Sequence, residues 1–274
     1  MAANIQNPGS ALGEAIGVEM EKALNALLTD FVEQFGYHFL SKIPIRQKGG
    51  KEKKLLMYDS FGTAYNIDAV IANESMQPII LIESKYIRYT KHNRDKGSWV
   101  CTAHPAVRRR YNSIRSSVAV LAGNWSSSSL AMMRSYDINI FLIPFSLICD
   151  LLAKYGIDFG WAEKDREAAQ TAWETFLALP DAEQAQIGVE MINTVKDELR
   201  ELVLAILDDT TVRKIDTVTI ELHSNLGEVK VYTFPTLAQA IEFLNTSELH
   251  QVFITTDSLT LFDPPPMIDG SNAG

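Results

Sequence analysis

Two short segments carry the charges whose types and spacing could do chemistry. Residues 67–70 read Ile-Asp-Ala-Val and residues 79–85 read Ile-Ile-Leu-Ile-Glu-Ser-Lys, so Asp68, Glu83 and Lys85 interrupt otherwise apolar stretches. Both stretches are rich in β-branched and aliphatic residues, which favours strands, and the polar residues 73–77 between them favour a turn. Side chains alternate across a strand, so Glu83 and Lys85 point to one face and Ser84 to the other. If the two strands pair as a hairpin, Asp68 approaches Glu83, and two carboxylates converge with one ammonium. Paired carboxylate oxygens suit a hard cation such as Mg2+, which would make Asp68 and Glu83 its ligands. A cation held there acidifies water and neutralises phosphoryl oxygens, the two needs of phosphodiester hydrolysis. Lys85, a compact rotatable donor, would position the attacking water or help to deprotonate it. Glu83 and Lys85 would also suit an inert, solvated ion pair at a strand end.

The elements that must position these groups follow from periodicity. Apolar residues at helical spacing over residues 12–35, closed by Gly36, predict a long first helix, and residues 37–45 are β-prone. Residues 47–54 then read as a basic loop containing Lys53 and Lys54. Val107, Tyr111, Ile114, Val118 and Leu121 share the spacing of a second helix face, with Arg108, Asn112 and Arg115 along its flank. A serine-rich turn at residues 126–129, a strand over 138–143 and a short helix to residue 155 come next. Helices are expected over 166–179 and 182–207, then a ββαβ unit with strands at 215–223, 228–234 and 251–255 and a helix at 237–244. The tail from 264, opening with three prolines, reads as disordered.

This arrangement resembles the PD-(D/E)XK, or restriction-endonuclease-like, superfamily over about residues 11–155. Asp68 matches the acid of one strand and Glu83-Ser84-Lys85 the (Asp/Glu)-X-Lys of the next, although Ile67 stands where the motif has proline. The resemblance implies an α/β fold with an αβββαβ core, a mixed central sheet flanked by helices, to which a C-terminal helical segment and the ββαβ unit are added. It implies a Mg2+-dependent endonuclease acting on double-stranded DNA, with Asp68, Glu83 and Lys85 catalytic. A supporting glutamate on the first helix falls to Glu19, with Glu14 and Glu21 as alternatives. The resulting division is 1–160 for the core, 161–210 for helices, 211–263 for the small unit and 264–274 for the tail. A repair or recombination nuclease that reads DNA structure, and a non-catalytic binding protein of the same fold, are the competing expectations.

Charge distribution bears on the partner. The chain carries a net charge of -9, yet residues 42–115 hold 15 Lys and Arg against 6 Asp and Glu, and residues 150–274 hold 8 against 22. A basic region of this kind faces a polyanion more readily than an acidic one does. Lys53, Lys54, Arg108, Asn112 and Arg115 are therefore the expected DNA contacts, and the acidic half is assigned to assembly or scaffold roles, most simply a homodimer, with an apolar seam at 187–206 that packs against either its own domain or a second copy. The five histidines show no metal-ligand spacing and read as structural or surface residues, and no glycine loop suits a nucleotide phosphate. Two cysteines make no disulfide framework and no apolar run suits a membrane span, so a reducing cytoplasm is the expected setting.

Overall fold

A computed structural model describes residues 7–43, 53–90, 93–254 and 262–263. Helix α1 (Pro8–Glu33) begins where the Asn7 side chain accepts the Ser10 N–H and Pro8 supplies a preset first turn. Its buried stripe, Leu12, Ile16, Met20, Leu24, Leu28 and Phe31, recurs every three or four residues, and Gly36 ends the turn at φ 78°. Strands β1 (His38–Leu40) and β2 (Lys42–Ile43) follow, then β3 (Lys53–Tyr58), β4 (Ala64–Ile67), β5 (Ala69–Ala72) and β6 (Pro78–Ile87). Helix α2 (Asn93–Arg110) leads to β7 (Ser116–Gly123), α3 (Ser127–Arg134), β8 (Ile138–Pro144) and α4 (Phe145–Ala153).

These elements make an α/β architecture with a mixed central sheet flanked by helices. The sheet order is β1-β5-β6-β7-β8, antiparallel among the first three strands and parallel among the last three. Strands β2, β3 and β4 form a separate antiparallel sheet. One face of the large sheet, with Ile80, Ile82, Val118 and Val120, packs on α1, α4 and the helices α5 (Arg166–Ala178), α6 (Asp181–Asn193) and α7 (Lys196–Leu207). The other face packs on α2 and α3 through Leu81, Ala119, Leu121, Val100 and Val107.

Four expectations need correction. The stretch expected as one strand over residues 65–72 is two, β4 and β5, bent apart at Asp68 and paired in different sheets. The second helix ends at Arg110, and residues expected to continue it form β7, whose eight residues are all buried. The run Val118-Ala119-Val120-Leu121-Ala122 is apolar on both faces, the mark of a central parallel strand, and its coincidence with helical spacing misleads. The helix expected over 182–207 breaks at Thr194 and Val195 into α6 and α7, and its apolar stripe, Ile187, Met191, Leu199 and Val203, is consumed in the chain's own core rather than left for a second copy. Lys53 and Lys54 open strand β3 rather than lying in a loop; most of the expected basic loop falls outside the described residues.

Contacts divide the chain into two units, Met1–Asp209 and Thr210–Gly274. In the second, β9 (Val218–His223) and β10 (Val229–Phe234) form a hairpin, and Phe243 of α8 (Leu237–Thr246) packs on Tyr232 and Phe234. Residues 251–254 are turn rather than the expected strand, and Thr255 and the proline tail lie outside the described residues. Among the described residues no helix is long and apolar enough to cross a membrane.

The approach of α6 to α1 depends on Gly188, where an added Cβ would lie 2.2 Å from the Glu19 carbonyl oxygen. Because that neighbour is backbone, Gly188→Ala is expected to cost about 1–3 kcal/mol by overpacking. Urea unfolding measures it, and an unchanged midpoint would show that the helices separate freely.

Candidate active site

Strand β6 is longer than its antiparallel neighbour. Pairing with β5 covers residues 78–82 only, whereas the parallel ladder with β7 continues to Ile87. From Glu83 onward one edge of β6 therefore has no strand beside it among the described residues. Asp68 sits at the bend where the chain leaves that edge, and its Oδ2 accepts the Ser84 backbone N–H at 3.1 Å. The carboxylate thus takes over a hydrogen bond that a neighbouring strand would otherwise accept.

The same oxygen accepts a hydrogen bond from Lys85 Nζ at 2.6 Å, and Lys85 also makes an ion pair with Glu83 Oε1. The ammonium therefore bridges the two carboxylates. Alternation along β6 sends Glu83 and Lys85 towards α2, where His104 lies with Nε2 3.5 Å from Glu83 Oε2. Glu83 and His104 are each 1% exposed, whereas the Lys85 and Asp68 side chains are 20% and 15% exposed. Burial alone pushes the Glu83 carboxyl up, but the neighbouring His104 ring and the charge of Lys85 outweigh it and hold the group below its ordinary 4.5. For Lys85, burial pulls downward, and the charges of Glu83 and Asp68 overcome this to hold it above its ordinary 10.5.

A cavity of about 1150 Å3 adjoins Lys85 and is lined also by Glu14, Glu21, Tyr86, Arg88 and Lys96. Glu19 is not on it. That residue pairs with Lys22 at 2.6 Å and its backbone backs onto Gly188, which corrects the expectation that it supports the site; Glu14 and Glu21 occupy the facing side of α1. Lys96, near Lys85 in this cavity, is pushed down by burial and by the Lys85 charge, with Glu14 opposing.

The expected flank of DNA contacts does not exist as a helix face. Arg108 belongs to the last turn of α2, Asn112 is exposed in the following turn, and Arg115 precedes β7. Arg115 is engaged inside the chain, donating to the Ile206 carbonyl at 2.7 Å and pairing with Asp209, so it anchors the end of α7 rather than offering a free charge. Of Lys53 and Lys54 only the backbone in β3 is described. His104 is the residue that sequence reasoning missed. It falls on the buried stripe Gly97, Val100, His104 and Val107 of α2, a period visible once the helix is placed over 93–110. Among the described residues no group of three or more His, Cys, Asp or Glu side chains is placed to hold a metal together. No protein-family model, curated protein or solved structure matches the chain.

Lys85→Met keeps the stem and removes the charge, leaving Glu83 buried without its cation. A loss of about 3 kcal/mol at neutral pH is expected, shrinking as pH falls and the carboxyl, pushed up by burial once its cation is gone, takes up a proton. In the parent chain, Glu83, held low, contributes stability above 4.5 that is lost as pH falls through its folded value. Lys85, held high, contributes stability below 10.5 that is lost as pH rises through its folded value. Urea midpoints across this range should form a plateau bounded by two declines, and equal stability of both proteins at neutral pH would contradict the account.

Proposed function

We propose that the chain is a Mg2+-dependent endonuclease of the PD-(D/E)XK type that hydrolyses phosphodiester bonds in double-stranded DNA. The observation that carries the reading is the meeting of Asp68 and Glu83 on one ammonium beside an uncovered strand edge and a cavity. Further support comes from the central sheet: α1, the antiparallel strands β1, β5 and β6, α2 and the parallel strand β7 follow the αβββαβ plan that the resemblance implies, with β2, β3 and β4 inserted as a separate sheet.

The donor set fits a hard cation. Both oxygens of Glu83 are buried and meet no donor in aligned hydrogen-bond geometry, and Asp68 adds a partly exposed carboxylate. Two carboxylates with the remaining positions left to water and phosphate oxygens is a common manner of holding Mg2+. When bound there, the cation would acidify a water and offset charge on the phosphate. Asp68 and Glu83 would hold it, and the buried position of Glu83 fixes one ligand with little freedom to move. Lys85, kept protonated by its two acids, acts as donor and positive charge beside the scissile phosphate and not as a base. Glu14 or Glu21, which line the cavity, takes the helix-borne acidic role expected of Glu19. Arg108 and Asn112 are left to contact the DNA backbone.

One observation favours a non-catalytic binding protein: Lys85 already neutralises both acids, as a purely structural ion triad would. Incubating plasmid, linear and branched DNA with the protein in Mg2+ or Mn2+ separates the readings. The nuclease reading expects cleavage that Asp68→Asn, Glu83→Gln and Lys85→Ala each reduce by about 100-fold or more. Discrete fragments would mark sequence recognition, and preference for branched DNA a repair or recombination role. The same residual cleavage by parent and variants would contradict the assignment.

A further inference from the structure

Tyr86, on the face of β6 opposite Glu83, and Arg88, in the bend just past the end of that strand, line the same cavity as Lys85. Each keeps a buried polar atom without a hydrogen-bond partner, Tyr86 Oη and Arg88 Nη1. Arg88 is only 7% exposed. Its Nη2 donates to the Trp161 carbonyl at 3.0 Å and its Nε to Tyr89 Oη at 3.1 Å. The Trp161 and Phe159 rings lie 3.8 and 4.3 Å from its central carbon. Rings of this kind cover the faces of the guanidinium and attract its charge. They cannot serve the N–H bonds, which lie in the plane and need an acceptor there. The side chain is thus clamped on its faces and by two of its nitrogens, with one donor edge left unmet. A phenol hydroxyl equally unmet stands beside it.

We propose that Arg88 and Tyr86 form a subsite for the terminal phosphate of a nucleic-acid strand whose scissile bond lies at Lys85, an inference that rests on the phosphodiester-hydrolysing chemistry of the nuclease reading and places the cut near a strand end rather than at an internal site. A phosphate monoester offers several in-plane acceptors to a guanidinium and one more to a hydroxyl, a match that a neutral ligand lacks. Lys96 and Lys164 line the same cavity and add attraction. Its acids are Glu14 and Glu21 on α1, Glu163, and Asp165, which accepts the Ala168 N–H to cap α5; the cations Lys85, Arg88, Lys96, Lys164 and Arg166 outnumber them. An end is specified because Arg88, which lines the cavity, is almost wholly buried, and the tip of a strand reaches such a group where a continuing chain does not. Lys85 and Arg88 are three residues apart in the chain, a span of at most about 10 Å, so the cut would fall one or two nucleotides from the phosphate.

Fluorescence anisotropy of short labelled oligonucleotides in EDTA, where no cutting intervenes, tests this directly. Oligonucleotides ending in a 5′-phosphate, a 3′-phosphate or hydroxyls only are compared, with inorganic phosphate as competitor. The expected result is roughly tenfold tighter binding of one phosphorylated end, competed by phosphate, retained in part by Arg88→Lys and lost in Arg88→Met. Equal affinity of the parent protein for phosphorylated and unphosphorylated ends overturns the proposal, and needs no variant to fold. Stabilisation by inorganic phosphate without any preference among oligonucleotides also overturns it. Cleavage of internal duplex sites with no end preference would overturn the subsite while leaving the nuclease reading standing. A phosphate preference in a protein that never cuts would support the subsite and remove the nuclease.

Discussion

Strand β6 outlasts its antiparallel neighbour, and the rest of the site depends on that mismatch. Where β5 parts from β6 after Ile82, the edge of β6 loses the strand that would satisfy its backbone. Asp68 stands at the point of departure and accepts the Ser84 N–H in place of that strand, and the same oxygen accepts from Lys85. One side chain thus ends a pairing, satisfies an exposed edge and brings a carboxylate to the ammonium two residues along. The bend at Asp68 also sends β4 into a separate sheet, which leaves the edge open to solvent.

Burying Glu83 is possible only because its surroundings counter the loss of water. β7 runs beside it in parallel register, α2 closes over it with His104, and Lys85 supplies the opposite charge. The opposing face of β6 is shaped by α1, whose Gly13 and Gly17 leave room for the Tyr86 ring; a Cβ at Gly13 would lie 3.0 Å from it. Two helices therefore clamp one strand end from either side. Glu83, Lys85 and Tyr86 lie on the stretch between them, and Arg88 follows directly after it. Rigid support of this kind is what a site needs if its oxygens are to stay where a cation can use them.

Much of this was legible in the residues, and the failures share a cause. The span of β6, the turn at 73–77 and the convergence of Asp68, Glu83 and Lys85 follow from local alternation, which two consecutive paired strands preserve. Alternation could not show that the first strand breaks at Asp68, because Tyr65, Ile67, Ala69 and Ile71 continue one apolar alternation in sequence through the bend, although β4 is buried on one face and β5 on both. Residues 107–121 satisfy helical spacing and strand composition together, and only burial on both faces, a tertiary property, decides for β7. That misplacement carried others with it: it set Arg115 on a helix flank, whereas it holds the end of α7, and it hid His104 from the stripe to which it belongs. Glu19 was chosen over Glu14 and Glu21 from sequence context alone; the rotation of α1 against β6, set by Gly13, Gly17 and Gly188, is what turns the other two to the cavity.

The central claim is that Asp68 and Glu83 are cation ligands and not merely the acids of an inert triad. Crystals soaked in Mn2+ and measured at its anomalous edge test this most directly. The account predicts one peak within about 2.4 Å of an oxygen from each carboxylate, with Lys85 drawn off at least one of them. Absence of that peak at saturating Mn2+, with Lys85 still bridging both acids, would contradict it.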